Sequence, residues 1–270
     1  MSHSGLPAWV LMWDLSIAIF ASLKWLTWWR ARRLVGASMR RQLAYLLLWP
    51  GMDAVRFLDS ERAARRPAVA EALVTSACLA GGAVLFWAAA RLTYPKWPLA
   101  AGWIGLVGLA LMLHFGAFRM LSMFWRFNGV DASPLMEAPV LARSLGEFWS
   151  KRWNTAFHVL ARDFVVAPSR HTVGAAGAVM LAFLASGLVH DLVISVPARA
   201  GFGLPTAFFL LQGLALLFER GAIGHRLGLG SGLRGRVYAL AIVAVPAFWL
   251  FHPAFVINVF LPFMHVGGAL

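Results

Sequence analysis

Late in a long apolar stretch the sequence reads Ser186-Gly187-Leu188-Val189-His190-Asp191. An ionisable residue at membrane depth is costly and ordinarily faces a protein interior or a water-filled cavity. A neutral imidazole is also the side chain suited to taking up a proton near pH 7. His190 is therefore the first candidate for general-base chemistry. Ser186 and Gly187 lie four and three positions before it and share its helical face. Their small size leaves space beside the ring for a neighbouring helix or for substrate. The plainer alternative is a packed histidine satisfied by one hydrogen bond. Asp191 adjoins His190 but points about 100° away on a helix, so it is not an obvious orienter.

A second group lies upstream. Trp149, Trp153, Ala156, Phe157, Leu160 and Phe164 recur at spacings of three and four, while Lys151, Asn154, Thr155, His158 and Arg162 collect on the opposite face. This predicts an amphipathic helix lying on the membrane. Either it merely packs on the bundle, or its polar face lines a site at the cytoplasmic edge. Nucleophile elbows, zinc motifs and Cys/His clusters do not occur, so serine-hydrolase and zinc chemistry have no support. The one cysteine, Cys78, is flanked by apolar residues and reads as packing. His114 and His252 read as structural.

The elements that must position these residues are membrane helices. Hydrophobic residues make up 60% of the 270 and charged residues 13%, whereas soluble domains hold roughly 45–50% and about 25%. Lipid must therefore be the solvent for much of the chain, which predicts an all-α integral membrane protein with no soluble domain. Six stretches reach spanning length, near 8–29, 72–90, 98–118, 173–196, 203–219 and 236–262. Pro246, Pro253 and Pro262 predict that the last is kinked or broken. The run Leu43 to Trp49 is too short to cross and reads as interfacial or re-entrant. The net charge of +13 follows topology: the loops carry 9, 2, 7, 1 and 4 Lys and Arg in turn. This alternation makes the first, third and fifth loops cytoplasmic and both termini non-cytoplasmic. The apolar background argues against nucleic acid as a partner. With no convincing internal repeat, residues 1–270 read as one domain, and a lipid transporter is the weaker reading.

These residues carry a resemblance. Ser144 to Asn154, reading S-L-G-E-F-W-S-K-R-W-N, resembles the wax-synthase motif S-L-x-D/E-F-W-G-R-R-W-N, and Ser186 to Asp191 resembles the same family's S-G-L-x-H-E/D. Trp49-Pro50-Gly51-Met52-Asp53 and Pro134-Leu135-Met136 are similar to further elements of that family, in the same order. The resemblance covers roughly residues 43–195 and implies a membrane-bound O-acyltransferase (MBOAT) bundle of the wax-synthase branch. It implies that His190 is catalytic and Asn154 its partner; His158, one turn from Asn154 in the sequence, is a candidate to replace or assist Asn154. It also implies acyl-CoA as co-substrate, an alcohol as acceptor and no permanently bound cofactor. Trp149, Trp153, Ser186 and Gly187 are then expected around the substrate, and Lys151, Arg152 and Arg162 at the phosphates of CoA. A sterol, polyketide-like or glycan acceptor receiving an acetyl or acyl group is the alternative, and an inactive structural subunit a further one.

Overall fold

A computed structural model describes residues 5–270, and among them every regular element is helical. Five helices are long and apolar enough to cross a membrane: α1 (Ala8–Ala31), α3 (Val69–Thr93), α4 (Pro98–Phe127), α5 (Thr155–Ala198) and α7 (Gly232–Leu250). The protein is a multi-pass membrane protein. At a rise of about 1.5 Å per residue even α7, with its 19 residues, approaches the ~30 Å of a hydrocarbon core.

The expected spans divide as follows. Segment 203–219 forms α6 (Leu204–Arg220), 17 residues long and deeply packed against α5. The last segment is broken, as its prolines predict: α7 turns at Val245-Pro246, and α8 (Pro253–Val266) follows as a short apolar helix. Leu43 to Leu48 lie in the ten-residue α2 (Met39–Leu48), capped by the Ser38 hydroxyl and too short to cross, and Trp49 is the extended residue that ends it.

The expected amphipathic helix is not continuous. A first helical stretch ends at Arg152, Trp153 is extended, and Asn154 adopts the left-handed conformation (φ 44°, ψ 62°) before α5 begins. Asparagine tolerates this geometry better than most residues because its short amide bonds locally. Here its Oδ1 accepts from the Phe157 backbone N–H at 3.2 Å, capping α5. Residues 155–166 then continue as helix up to the bend that precedes the segment holding His190. Within α5 the chain reverses at Gly174 (φ 72°, ψ 174°), a conformation essentially reserved for glycine. The helix is thus a hairpin of two limbs, 155–173 and 175–198. Its limbs pack together near the bend and part around a cavity farther away.

Three buried clusters hold this arrangement. One joins Tyr45, Trp49, Phe57 and Leu58 to Leu135 and to Ala156 and Leu160 of the first limb. A second packs Phe86 against Phe255, Phe260 and Met264 of the C-terminal helices. A third joins Leu145 to Leu216 of α6 and Ala239 of α7. Polar clamps back the first cluster. Lys24, 2% exposed, donates from its Nζ to the Gly51 carbonyl and lies 3.3 Å from the centre of the Tyr45 ring. Asp131 pairs with Arg56 at 2.6 Å and Arg62 at 2.8 Å. The Trp-Pro-Gly-Met-Asp element is thereby tied on one side to α1 and on the other to the segment before Pro134.

Candidate active site

A cavity of about 290 Å³ lies between the limbs of α5 and is closed by the Trp149 segment and α6. Val166 and Val179, Arg162 and Phe183, His158 and Ser186, and Asn154 and His190 all line it. Each pair sits nearly equally far on either side of residues 172–173. The bend therefore brings together residues that are distant in sequence.

His190 closes the inner part. Its Nδ1 lies 2.7 Å from the carbonyl oxygen of Ser186. A carbonyl can only accept, so Nδ1 carries the hydrogen and the lone pair is on Nε2. The ring also stacks on Phe209 of α6, centroids 4.4 Å apart. Ser186 thus orients the histidine through its backbone. Gly187 does not line the cavity. A Cβ there would meet the Thr206 Cα at 2.7 Å, so this glycine lets α5 and α6 come close enough to seat Phe209 on His190. Asp191 is committed elsewhere: its carboxylate accepts from the Ser195 hydroxyl, the Gly203 and Thr206 backbone N–H groups and the Thr206 hydroxyl.

Asn154 faces the same cavity from the opposite limb. With Oδ1 taken by the cap, its Nδ2 amide is the group left to donate. The Pro134-Leu135-Met136 segment braces it from behind. Met136 Sδ accepts from the Asn154 N–H at 3.0 Å, and the Leu135 carbonyl accepts from the Thr155 N–H at 3.0 Å. This explains in geometry why that tripeptide and Asn154 occur together.

Trp149 and Trp153 form one wall. The Trp149 ring packs on Phe183 at 5.7 Å and on Phe209 at 5.9 Å, and its N–H points to the Gln212 Oε1 at 3.4 Å. Trp153 is stacked between Phe148 at 5.7 Å and His114 at 6.1 Å. The backbone N–H groups of Leu145 and Gly146 donate to Glu219 at 2.5 and 2.9 Å, which fixes the start of the Trp149 segment against α6.

Three basic residues were candidate phosphate contacts. Arg162 lines the cavity and pairs with Asp163 at 2.7 Å. Lys151 is exposed and outside the cavity lining. Arg152 is spent on Glu147 at 2.7 Å and on the carbonyls of Glu137 and Ala138. Burial pushes the Glu147 carboxyl up, but the Arg143 N–H and the Arg152 guanidinium outweigh it and hold it below the ordinary carboxylate value. Nothing in the sequence singles out Phe183, Phe209 or Gln212, which sit in segments that read as plain membrane spans, or Arg220, one of the four basic residues of the fifth loop.

Comparison with known proteins agrees with this geometry. Residues 132–211 match the model of the Membrane bound O-acyl transferase family. The chain is 32% identical over 138 residues to a probable long-chain-alcohol O-fatty-acyltransferase 3 of Arabidopsis thaliana, covering 46% of this chain and 40% of that protein. It is 30% identical over 140 residues to the long-chain-alcohol O-fatty-acyltransferase of Simmondsia chinensis, covering 47% and 40%. To the acyl-CoA–sterol O-acyltransferase 1 of Arabidopsis thaliana it is 29% identical over 139 residues, covering 47% and 40%. The chain thus spans about two fifths of the length of these relatives. The matched residues run from the brace behind Asn154 to the Phe209 that seats His190, so over that stretch the chain is similar to the Membrane bound O-acyl transferase family and to these long-chain-alcohol and sterol acyltransferases.

Proposed function

We propose that this protein transfers an acyl group from acyl-CoA to an alcohol hydroxyl, working as one unit over its whole length. The observation that carries the reading is the pairing across the α5 bend. An imidazole with its lone pair on Nε2 and an amide N–H₂ free to donate face one apolar-walled cavity.

The chemistry follows from those two groups. The acceptor hydroxyl gives its proton to His190 Nε2 as its oxygen attacks the thioester carbonyl carbon. Negative charge grows on the carbonyl oxygen, where the Asn154 Nδ2 amide donates to it. The C–S bond then breaks, and the thiolate takes the proton from the His190 imidazolium. The products are an ester and free CoA, with the histidine restored. The Ser186 carbonyl stabilises the imidazolium by holding Nδ1–H throughout. Trp149, Phe183 and Phe209 supply an apolar surface for the acyl chain and exclude water. His158, on the same limb as Asn154, faces the cavity where it can bind the acceptor.

A long-chain alcohol is the favoured acceptor, because most of the named relatives carry that activity in their names. A sterol is the second reading, since one relative of similar identity is an acyl-CoA–sterol O-acyltransferase. The test is acyl transfer by membranes holding wild type or His190→Ala, with labelled acyl-CoA and a panel of fatty alcohols, sterols and small hydroxylated acceptors. Ester formed by wild type and lost in a variant that still inserts supports the reading and names the acceptor. Equal ester formation by both removes His190 as the base.

A further inference from the structure

The cavity has a second end. It extends along α6 past Leu216 to Arg220 and Gly146. Arg220 differs from the other arginines near the site. Arg152 and Arg162 each hold a carboxylate, and Arg119 and Arg126 share Glu71. Arg220 has no ion pair or side-chain hydrogen bond among the described residues, is exposed, and lies beside the cavity with its Nη2 near Gly146. Its neighbour Glu219 reaches the same glycine, but its carboxylate accepts from the Leu145 and Gly146 N–H groups and forms no ion pair with Arg220 among the described residues.

Its distance from the chemistry is set by the helix. Phe209 touches His190, and Arg220 follows it by eleven residues in the same unbroken helix. At a rise of ~1.5 Å per residue the two are about 16 Å apart along the axis. In CoA the reactive sulfur is joined to the first phosphorus by a chain of about thirteen bonds, and an extended peptide covers ~3.3–3.6 Å per three bonds, so this arm reaches roughly 14–16 Å. The two lengths agree.

We propose that Arg220 is the anchor for the donor's pyrophosphate, holding it one pantetheine arm from His190 so that the thioester lies against the imidazole. The inference rests on the acyl-CoA reading above and adds to it the residue and the measure. A guanidinium suits this role because it offers a planar fork of donors to phosphate oxygens. Arg220 stands at the solvent-exposed end of the cavity, where the highly charged nucleotide keeps its hydration while the acyl chain enters the apolar part. A phospholipid headgroup would present the same phosphate chemistry, and the experiment separates the two.

The test uses the purified full chain in a non-ionic detergent free of phospholipid. Two donors carry the same acyl group: acyl-CoA, and the N-acetylcysteamine thioester, which lacks every phosphate. Arg220→Ala is expected to raise KM for acyl-CoA about tenfold with little change in kcat. KM for the phosphate-free donor is expected to stay at the wild-type value. Arg220→Lys is expected to fall between wild type and alanine with acyl-CoA. Arg226→Ala, which removes a nearby arginine outside the cavity lining, is expected to leave both donors unchanged. An Arg220→Ala effect equal on both donors, or absent from both, overturns the assignment. An effect that appears only when phospholipid is added back assigns Arg220 to a headgroup and overturns it as well. Binding of unacylated CoA, followed by calorimetry, separates this inference from the reading beneath it. Wild-type binding that persists unweakened in Arg220→Ala overturns Arg220 alone. Wild type that neither binds CoA nor uses either donor overturns the acyl-CoA reading and this assignment together.

Discussion

Gln212 offers a sharp test of how the cavity wall is built. It is completely buried, and its Nε2 donates to the Ile242 carbonyl at 2.8 Å. In a regular helix that carbonyl would accept the N–H of residue 246, but residue 246 is proline and has none. The Gln212 amide is therefore the substitute donor, and this fixes its other end: Oε1 must face the Trp149 N–H at 3.4 Å. Gln212→Leu leaves a buried carbonyl and an indole N–H both unpaired. Side-chain hydrogen bonds between membrane helices average ~0.6 kcal/mol and reach ~1.7. The shorter bond, to an otherwise orphaned carbonyl, belongs at the upper end and the longer bond at the lower, giving a loss of about 2 kcal/mol. Pro246→Ala supplies the missing N–H. The Val245 N–H still bonds the Ala241 carbonyl at 3.0 Å, so the helix runs up to the proline and the new N–H falls beneath the Ile242 oxygen. In that background Gln212→Leu is expected to lose only the Trp149 bond, leaving a coupling of about 1.5 kcal/mol between the two positions. Reversible unfolding of the four proteins in mixed micelles measures it. Strictly additive losses would refute the claim that Pro246 creates the carbonyl that Gln212 serves.

Four further outcomes are expected. His190→Ala is predicted to lower the transfer rate by about 10²–10⁴-fold while CoA binding persists, as judged by turnover and calorimetry. Asn154→Asp keeps the Oδ1 cap on α5 but removes the Nδ2 donor, so it is predicted to insert and fold normally yet lose about 10²–10³-fold in kcat; near-wild-type turnover would limit Asn154 to capping. Gly187→Ala brings a Cβ against the Thr206 backbone and is predicted to part α5 from α6, lowering both unfolding temperature and activity by more than the exposed substitution Leu188→Ala. The Glu147 carboxyl is held below its ordinary value, so its contribution to stability is complete above the unfolded-state pKa and is lost as pH falls through the folded value. Glu147→Gln is accordingly predicted to flatten the acid limb of a stability–pH curve and leave the neutral region sloped as before.

The sequence made parts of this site legible and hid others for physical reasons. His190 stood out because an ionisable group in an apolar run needs an explanation. Asn154 and the Trp149 segment stood out through their resemblance to a family motif. Four of the expected spans and the broken C-terminal one could be read because lipid imposes length and hydropathy on a helix. The interruption at Trp153-Asn154 was missed because an apolar stripe at spacings of three and four continues across it. Asparagine's preference for the helix N-cap was the available signal. Gly174 was likewise visible as a glycine just after the polar run Ser169-Arg170-His171-Thr172, the composition of a helix end. Phe209 and Gln212 left no signal, and Arg220 read only as one of four basic residues in the fifth loop. Their roles come from which face of α6 meets α5, and periodicity inside lipid does not distinguish a protein-facing side from a lipid-facing one.

The reversal at Gly174 also limits how such a chain can change in length. Each residue added to one limb of α5 turns everything beyond it by about 100° and shifts it by ~1.5 Å. A single insertion between residues 155 and 173 would swing Asn154 out of the cavity, even though every side chain facing His190 on the other limb stayed in place. Deletions between 175 and 189 would do the same to His190. The stretch from Asn154 to His190 acts as a gauge whose two arms must match in length. Insertions and fusions belong outside it, in connections such as 59–68 or 226–231, where no pairing across a bend has to be kept in register.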